Sequence, residues 1–88
     1  MRLVLLPKAV RDLGTWIEAD VKQLKKLHRL IVATLRSPYE GIGEPERLKH
    51  TNGKLWSRRV SMQHRMVYEV EGDDVVFYSL HGHYWANL

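Results

Sequence analysis

The sequence predicts an α+β protein in which two N-terminal helices pack on a mostly antiparallel sheet of four or five strands. Apolar residues recur every three or four positions before residue 37, which is typical of amphipathic helices. After a loop with two prolines and two glycines at 37–45, short apolar runs alternate with turn sequences, which is typical of hairpins. A chain of 88 residues has room for one domain, and we expect that domain to span 1–88.

One strand and two helices are predicted before the loop. Residues 2–6 are expected to form a short buried strand, which ends at Pro7 because proline has no amide hydrogen to donate to a ladder. A helix follows, and Asp20 is a suitable N-cap for a second helix that pairs antiparallel with the first. The apolar faces of these helices comprise Ala9, Val10, Leu13, Trp16 and Ile17, then Val21, Leu24, Leu27, Ile31 and Leu35.

Four strands joined by short turns are predicted after the loop, and short connections imply an antiparallel meander. The strands lie at 47–50, 55–60, 64–71 and 75–81. The turns are Asn52-Gly53, Ser61-Met62-Gln63 and Gly72-Asp73-Asp74, of which the first is a strong signal for a type I′ turn.

The loop at 72–74 predicts the register of the last hairpin, because a slip of one residue sends every side chain to the opposite face. With three residues in the loop, Tyr68 pairs with Tyr78 in the core, whereas a two-residue turn at Asp73-Asp74 would mix apolar and polar side chains on one face. The other face then holds Arg65 opposite His81. The remaining core pairs are Met66 with Leu80 and Val70 with Val76.

The other two turns extend this polar face. The turn at 61–63 places Arg59 opposite Arg65, and it points Arg58 toward the core, which we attribute to a position near a sheet edge. A two-residue turn at Asn52-Gly53 pairs Glu46 with Arg59. The core pair of the middle hairpin is Trp56 with Tyr68. One transverse row of polar residues results: Glu46, Arg59, Arg65 and His81, with His83 and Tyr84 at its end.

Composition and charge exclude several classes of protein. The absence of cysteine excludes disulfides and thiolate zinc sites, and the first apolar run is cut by Pro7, so no membrane span is expected and we predict a cytoplasmic protein. The net charge of +4 favours anionic partners. Between Arg47 and Tyr68 there are six basic residues, two histidines and no acidic residue, a pattern that also fits a solvated basic face without chemistry.

The predicted row is suited to phosphate chemistry. Two facing arginines repel unless an anion lies between them, and the guanidinium fork fits phosphate oxygens. These residues could catalyse cleavage of RNA in which the RNA's own 2′-hydroxyl attacks the neighbouring phosphate. Glu46 would act as the base if its surroundings raise its pKa, and His83 would act as the acid. Arg65 and Arg59 would stabilise the transition state, and Tyr84 would stack on a base. No metal or other cofactor is expected, because the histidines at 81 and 83 have no clear third ligand.

Four segments in this order resemble the YoeB/Txe toxins of the RelE superfamily. They are Pro45–His50, Trp56–Arg59, His64–Tyr68 and His83-Tyr84. The resemblance spans nearly the whole chain, including the loop Ser37–Gly41. It implies a ribosome-dependent endoribonuclease, an mRNA interferase, that cuts messenger RNA in the decoding site and is held inactive by a cognate antitoxin.

The resemblance also implies roles for single residues and a fold. Glu46 corresponds to the base of these toxins and His83 to the acid, while Arg65 stabilises the phosphate. Tyr84 would orient the substrate, and Lys49 and Arg59 would help to hold RNA. The implied fold is that of small microbial ribonucleases, and homodimers are common among these toxins.

Two departures from the family pattern concern the surroundings of His83. Family members often end at or just after the His-Tyr pair, whereas Trp85–Leu88 follow it here, and His81 stands where arginine or lysine is common. The alternative to an enzyme is a non-catalytic protein that uses its basic sheet to bind RNA or an antitoxin in autoregulation.

Overall fold

The computed structural model describes residues 1–49 and 52–82, and within them five strands form one sheet. The predicted α+β class, with two helices on a sheet of four or five strands, is confirmed. The elements are β1 (Arg2–Leu5), α1 (Pro7–Ala19), α2 (Val21–Arg36), β2 (Glu46–Arg47), β3 (Trp56–Arg59), β4 (Arg65–Glu71) and β5 (Asp74–Ser79). The order of the strands in the sheet is β1-β5-β4-β3-β2.

The strand β1 lies at an edge of the sheet and runs parallel to β5, whereas the other neighbouring strands are antiparallel. Leu3 pairs with Val75, and the amide of Leu6 donates to the carbonyl of Phe77 at 3.0 Å. The prediction that β1 is buried is wrong. Leu3 is 46% exposed, because an edge strand has a neighbour on one side only.

The helices begin where the sequence predicts. Pro7 lies in the first turn of α1, where its missing amide hydrogen breaks no helical bond. The side chain of Asp20 caps α2 by accepting from the amide of Gln23 at 3.3 Å. The predicted apolar face of α1 is partly wrong, because Val10 and Ile17 are more than half exposed. Of the helices in the described ranges, none is long and apolar enough to cross a membrane.

The core lies between the two helices and one face of the sheet. Tyr68 and Phe77 meet there with ring centroids 5.7 Å apart. Side chains alternate along a strand, so the residues between these core positions point to the opposite face, away from the helices. The buried members of the core are Ala9, Trp16, Leu27, Leu30, Val60, Met66, Tyr68, Val75, Phe77 and Leu80.

Arg58 points to the core, as predicted, and its strand β3 lies next to the edge strand β2. The edge does not expose the side chain, however, because Arg58 is fully buried. Its guanidinium donates to three carbonyl oxygens in the loop after α2, those of Ser37, Glu40 and Ile42. Its Nε donates to the hydroxyl of Tyr68 at 3.2 Å. The loop thus supplies the polar partners that a buried guanidinium requires.

The hairpin of β4 and β5 differs from the prediction near its turn. The predicted three-residue loop is wrong, because a two-residue turn joins these strands. The core partner of Tyr68 is therefore Phe77 rather than Tyr78. The observed pairs next to the turn are Glu71 with Asp74, Val70 with Val75 and Tyr68 with Phe77.

Farther from the turn, the hairpin returns to the predicted register of strand pairing, because a β-bulge lies between Val67 and Tyr68. Val67 pairs with Ser79, which leaves Tyr78 as the extra residue of β5. The hydroxyl of Tyr78 reaches the side chain of Glu69, with which it forms a hydrogen bond of 2.6 Å. The bulge therefore removes Tyr78 from the core position that the sequence predicts.

The middle hairpin has the predicted register, but the first one does not. Arg59 pairs with Arg65, as expected. Asn52 and Gly53 have positive φ angles of 57° and 71°, as a type I′ turn requires. Even so, Glu46 pairs with Ser57 and not with Arg59, so the register differs by two residues from the predicted one.

Candidate active site

Polar side chains from β2, β3 and β4 meet on the face of the sheet away from the helices. Glu46 of β2 pairs with Ser57 of β3, and Arg65 begins β4. Ser57 and Arg59 alternate along β3 with residues that face the core, so both point away from the helices. The register of these three strands therefore brings a carboxylate, a hydroxyl and a guanidinium to one place.

Arg65 lies at the centre of this cluster. Its Nη1 donates to the Oγ of Ser57 at 3.0 Å and lies 3.6 Å from Oε1 of Glu46. The side chain of Arg65 is 16% exposed, and that of Glu46 is 52% exposed. A mostly buried guanidinium bonded to a fully buried serine is held in place, whereas the carboxylate beside it is open to a substrate.

Arg59 contacts a different carboxylate. Its Nε lies 3.7 Å from Oε2 of Glu44, and its amide donates to the carbonyl of Gly43 at 2.7 Å. The predicted order of the polar row is therefore wrong in part. Glu46 lies beside Arg65, and Arg59 lies beside Glu44.

Ser57 and Glu44 are the two members of this face that sequence reasoning missed. Ser57 stands two residues before Arg59 in the same strand, so the alternation of side chains could have identified it. The position of Glu44 could not be found in this way. It depends on positive φ angles at Gly43 and Glu44, which turn the loop onto β3.

His81 does not lie in the predicted row. Its ring centroid is 4.9 Å from that of Trp16 in α1 and 4.0 Å from that of His64. Trp16 belongs to the core, so His81 packs at the helix side of the sheet. The prediction extended the alternation of β5 past Ser79, where the strand ends.

The chain returns to the cluster at Gly82, whose carbonyl accepts a hydrogen bond of 3.0 Å from the amide of Arg65. The next two residues in the sequence, His83 and Tyr84, lie outside the described residues. The predicted acid and the predicted stacking residue therefore stay predictions. Lys49, which the family resemblance implies would help to hold RNA, is exposed just after β2.

The described cluster can bind an anion and accept a proton side by side. A guanidinium fixed by Ser57 can hold phosphate oxygens, and a carboxylate 3.6 Å away can take a proton from a hydroxyl next to that phosphate. In the ranges 1–49 and 52–82, no three histidine, aspartate or glutamate side chains are grouped so that they could hold a metal ion.

The chain is similar in sequence to known bacterial toxins. The family model of the YoeB-like toxins of bacterial type II toxin–antitoxin systems matches residues 6–84. The chain belongs to this family. Toxin YoeB of Escherichia coli K12 is 39% identical over 84 residues, which are 96% of this chain and 100% of that toxin.

Solved structures of these toxins have the same fold. The YoeB dimer from Staphylococcus aureus superposes with a TM-score of 0.87 at 33% identity, covering 96% of this chain and 98% of that one. The heterotetrameric YoeB–YefM toxin–antitoxin complex from the same organism gives a TM-score of 0.83 at 33% identity with the same coverage. The protein is therefore a toxin of the type II class.

Proposed function

We propose that this toxin is a ribosome-dependent endoribonuclease that cuts messenger RNA in the decoding site by attack of the RNA's own 2′-hydroxyl. The observation that carries the proposal is the distance of 3.6 Å between Oε1 of Glu46 and Nη1 of Arg65. The 2′-hydroxyl and the phosphate that it attacks belong to the same nucleotide. A base and a phosphate ligand that serve this reaction must therefore lie side by side.

The proposed reaction uses side chains alone and needs no metal ion. Glu46 takes the proton of the 2′-hydroxyl, and the 2′-oxygen forms a bond to the adjacent phosphorus. The bond from phosphorus to the 5′-oxygen of the next nucleotide breaks, and His83 donates a proton to that oxygen. The products are a 2′,3′-cyclic phosphate and a 5′-hydroxyl. Arg65 donates to the phosphate oxygens in the transition state, an effect worth about 3 kcal/mol for a well-placed donor.

Three further residues are proposed to hold the RNA. Arg59 is exposed and pairs with Arg65 across the sheet, and Lys49 is exposed two residues after β2; both are proposed to reach the sugar–phosphate backbone. Glu44 already pairs with Arg59, so an RNA phosphate would replace a carboxylate as the partner of this guanidinium. Tyr84 would stack on a base beside the cut.

The partners of the toxin are proposed from its relatives. The structure of the Staphylococcus aureus YoeB–YefM complex supports a cognate antitoxin as one partner, and the YoeB dimer from that organism supports a homodimer. A ribosome-dependent activity places the protein in the cytoplasm with its substrate. The net charge of +4 favours the approach to ribosome and messenger RNA.

Single-turnover cleavage of messenger RNA on programmed ribosomes tests the proposal. Glu46→Gln keeps the size of the side chain but cannot take a proton at neutral pH, so we expect the cleavage rate to fall by about 100-fold or more. The fragments should end in a 2′,3′-cyclic phosphate. Glu71→Gln is the matched control, because this glutamate is exposed at the opposite end of β4, and its rate should equal that of the wild type.

Two results would contradict the proposal. Cleavage by Glu46→Gln at the wild-type rate would show that this carboxylate is not the base. A wild-type toxin that leaves messenger RNA intact on ribosomes, yet binds its antitoxin, would favour the non-catalytic alternative.

A further inference from the structure

The segment that follows β5, Leu80–Gly82, is bonded to side chains of α1. The amide of Leu80 donates to Oδ2 of Asp12 at 2.9 Å, and its carbonyl accepts from Nε1 of Trp16 at 2.7 Å. Asp12 is 8% exposed and lies 2.7 Å from Nζ of Lys8. A buried carboxylate costs free energy unless it is paired, and Lys8 supplies the opposite charge here. The paired carboxylate of Asp12 holds the backbone amide of Leu80.

The same segment is bonded to the start of β4 through Gly82. Its amide donates to Nδ1 of His64 at 2.8 Å, and its carbonyl accepts from the amide of Arg65 at 3.0 Å. Gly82 has a φ of 91°, which residues with a side chain rarely adopt. The consecutive residues His64 and Arg65 thus bond the backbone amide and carbonyl of Gly82. Arg65 is also the proposed phosphate ligand.

The bond to Gly82 requires a particular form of the His64 ring. Nδ1 can accept only when it carries no proton, so His64 acts here as a neutral imidazole with its proton on Nε2. Contacts with Trp16 and His81 hold the ring, with centroids 5.0 Å and 4.0 Å away. His64 therefore serves as a fixed acceptor for the segment that leads to His83.

We propose that His64 and Asp12 are positioning residues that fix the segment 80–82, from which the chain continues to the proposed acid His83. The inference rests on the proposed function, since it concerns the acid of that reaction. Neither residue touches the reacting atoms. Their effect on the rate would come from the geometry of the acid, and an error of about 1 Å in such geometry costs roughly 100-fold.

Two amide variants of His64 test the proposal. In His64→Asn the side-chain oxygen lies near the place of Nδ1 and can accept from Gly82, whereas in His64→Gln it lies one methylene farther out. We expect the single-turnover rate of His64→Gln to fall by roughly 100-fold, with no change in the toxin concentration that gives half-maximal rate. His64→Asn should recover most of the rate. Both variants should unfold cooperatively.

Amide hydrogen exchange gives a readout that does not depend on activity. The amides of Leu80 and Gly82 should exchange slowly in the wild type, and the amide of Gly82 should exchange faster in His64→Gln than in His64→Asn. Asp12→Leu should speed exchange at Leu80, whereas Asp12→Asn keeps an acceptor and should not.

The outcomes separate this inference from the proposed function. If Glu46→Gln is inactive while His64→Gln cleaves at the wild-type rate, only the positioning role is wrong. Equal losses in the Asn and Gln variants of His64, together with weaker binding, would also overturn it, because they indicate general damage. Rapid exchange of the Gly82 amide in the wild type would show that the segment is not held. Full activity of Glu46→Gln would remove the proposed function itself.

Discussion

The hydroxyl of Tyr78 donates to Oε1 of Glu69 at 2.6 Å, across the strands β4 and β5. This bond raises the pKa of Tyr78 to about 12, because a neutral hydroxyl can donate to the carboxylate whereas a phenolate cannot. Partial burial and the negative charge of Glu69 act in the same direction. Burial also raises the pKa of Tyr68 in the core, although its contacts with Arg58 oppose that shift.

Stability should therefore fall as the pH rises from about 10 to about 12. The ordinary pKa of tyrosine is 10.0, so in this range the native state holds more protons than the unfolded state, and the free energy of unfolding decreases with pH. Denaturant titrations at several pH values measure this slope. Tyr78→Phe should make the slope shallower, while the contribution of Tyr68 persists. An unchanged slope in Tyr78→Phe would show that the bond to Glu69 does not hold the proton.

Replacing Arg58 with methionine should destabilise the toxin by about 3–5 kcal/mol. The variant removes a buried guanidinium and leaves three carbonyl oxygens of the loop and the hydroxyl of Tyr68 without the donor that they share. Arg59→Met is the matched control, because the neighbouring arginine has an exposed ion pair and should lose less than about 1 kcal/mol. Equilibrium unfolding in urea measures both. Equal losses in the two variants would contradict this account of the loop after α2.

Gly43→Ala should lose about 1–3 kcal/mol of stability, whereas Gly14→Ala should gain about 0.5–1 kcal/mol. A Cβ at Gly43 would lie 2.6 Å from Cδ2 of the buried Leu30, and the φ of 84° disfavours any side chain. A Cβ at Gly14 meets nothing within 4 Å, and this residue lies within the helix α1. Thermal unfolding of the pair checks the prediction, which a stable Gly43→Ala would refute.

Ser57→Ala should slow the proposed cleavage by about tenfold, because it removes the hydrogen bond that fixes the guanidinium of Arg65. Ser79→Ala is the control. Ser79 is another nearly fully buried serine on the sheet, and within the described part of the chain its hydroxyl has no hydrogen-bond partner. We expect this variant to keep its activity and to be at least as stable as the wild type. If Ser79→Ala slowed the cleavage and Ser57→Ala did not, Ser57 would not support the guanidinium of Arg65 as described.

Local sequence patterns were sufficient to predict where the helices begin and the register of the middle hairpin. Pairing Trp56 with Tyr68 in the core favoured one register of the middle hairpin, although it left Arg58 on the core side. The last hairpin was harder because Phe77 and Tyr78 are both aromatic, and either could fill the core opposite Tyr68. The bulge that decides between them has no local sequence signal. The strand β1 was predicted as a strand, but its partner lies at the far end of the sequence.

The candidate site was predicted in outline. Glu46 and Arg65 do meet on one face, although through Ser57 rather than Arg59, because the first hairpin is offset by two residues. That offset keeps the face of Glu46 unchanged, since side chains repeat with a period of two. His81 was misplaced because the alternation of a strand ends with the strand, and the rings of Trp16 and His64 then determine where this side chain packs.

The parallel pairing of β1 with β5 has a consequence for how the toxin is made. The first strand of the chain finds its partner only when residues up to Phe77 have been synthesised and released from the exit tunnel. Until then its apolar residues have no sheet to join, and the helices have no complete surface to cover. A nascent chain therefore cannot complete this sheet before β5 has left the exit tunnel.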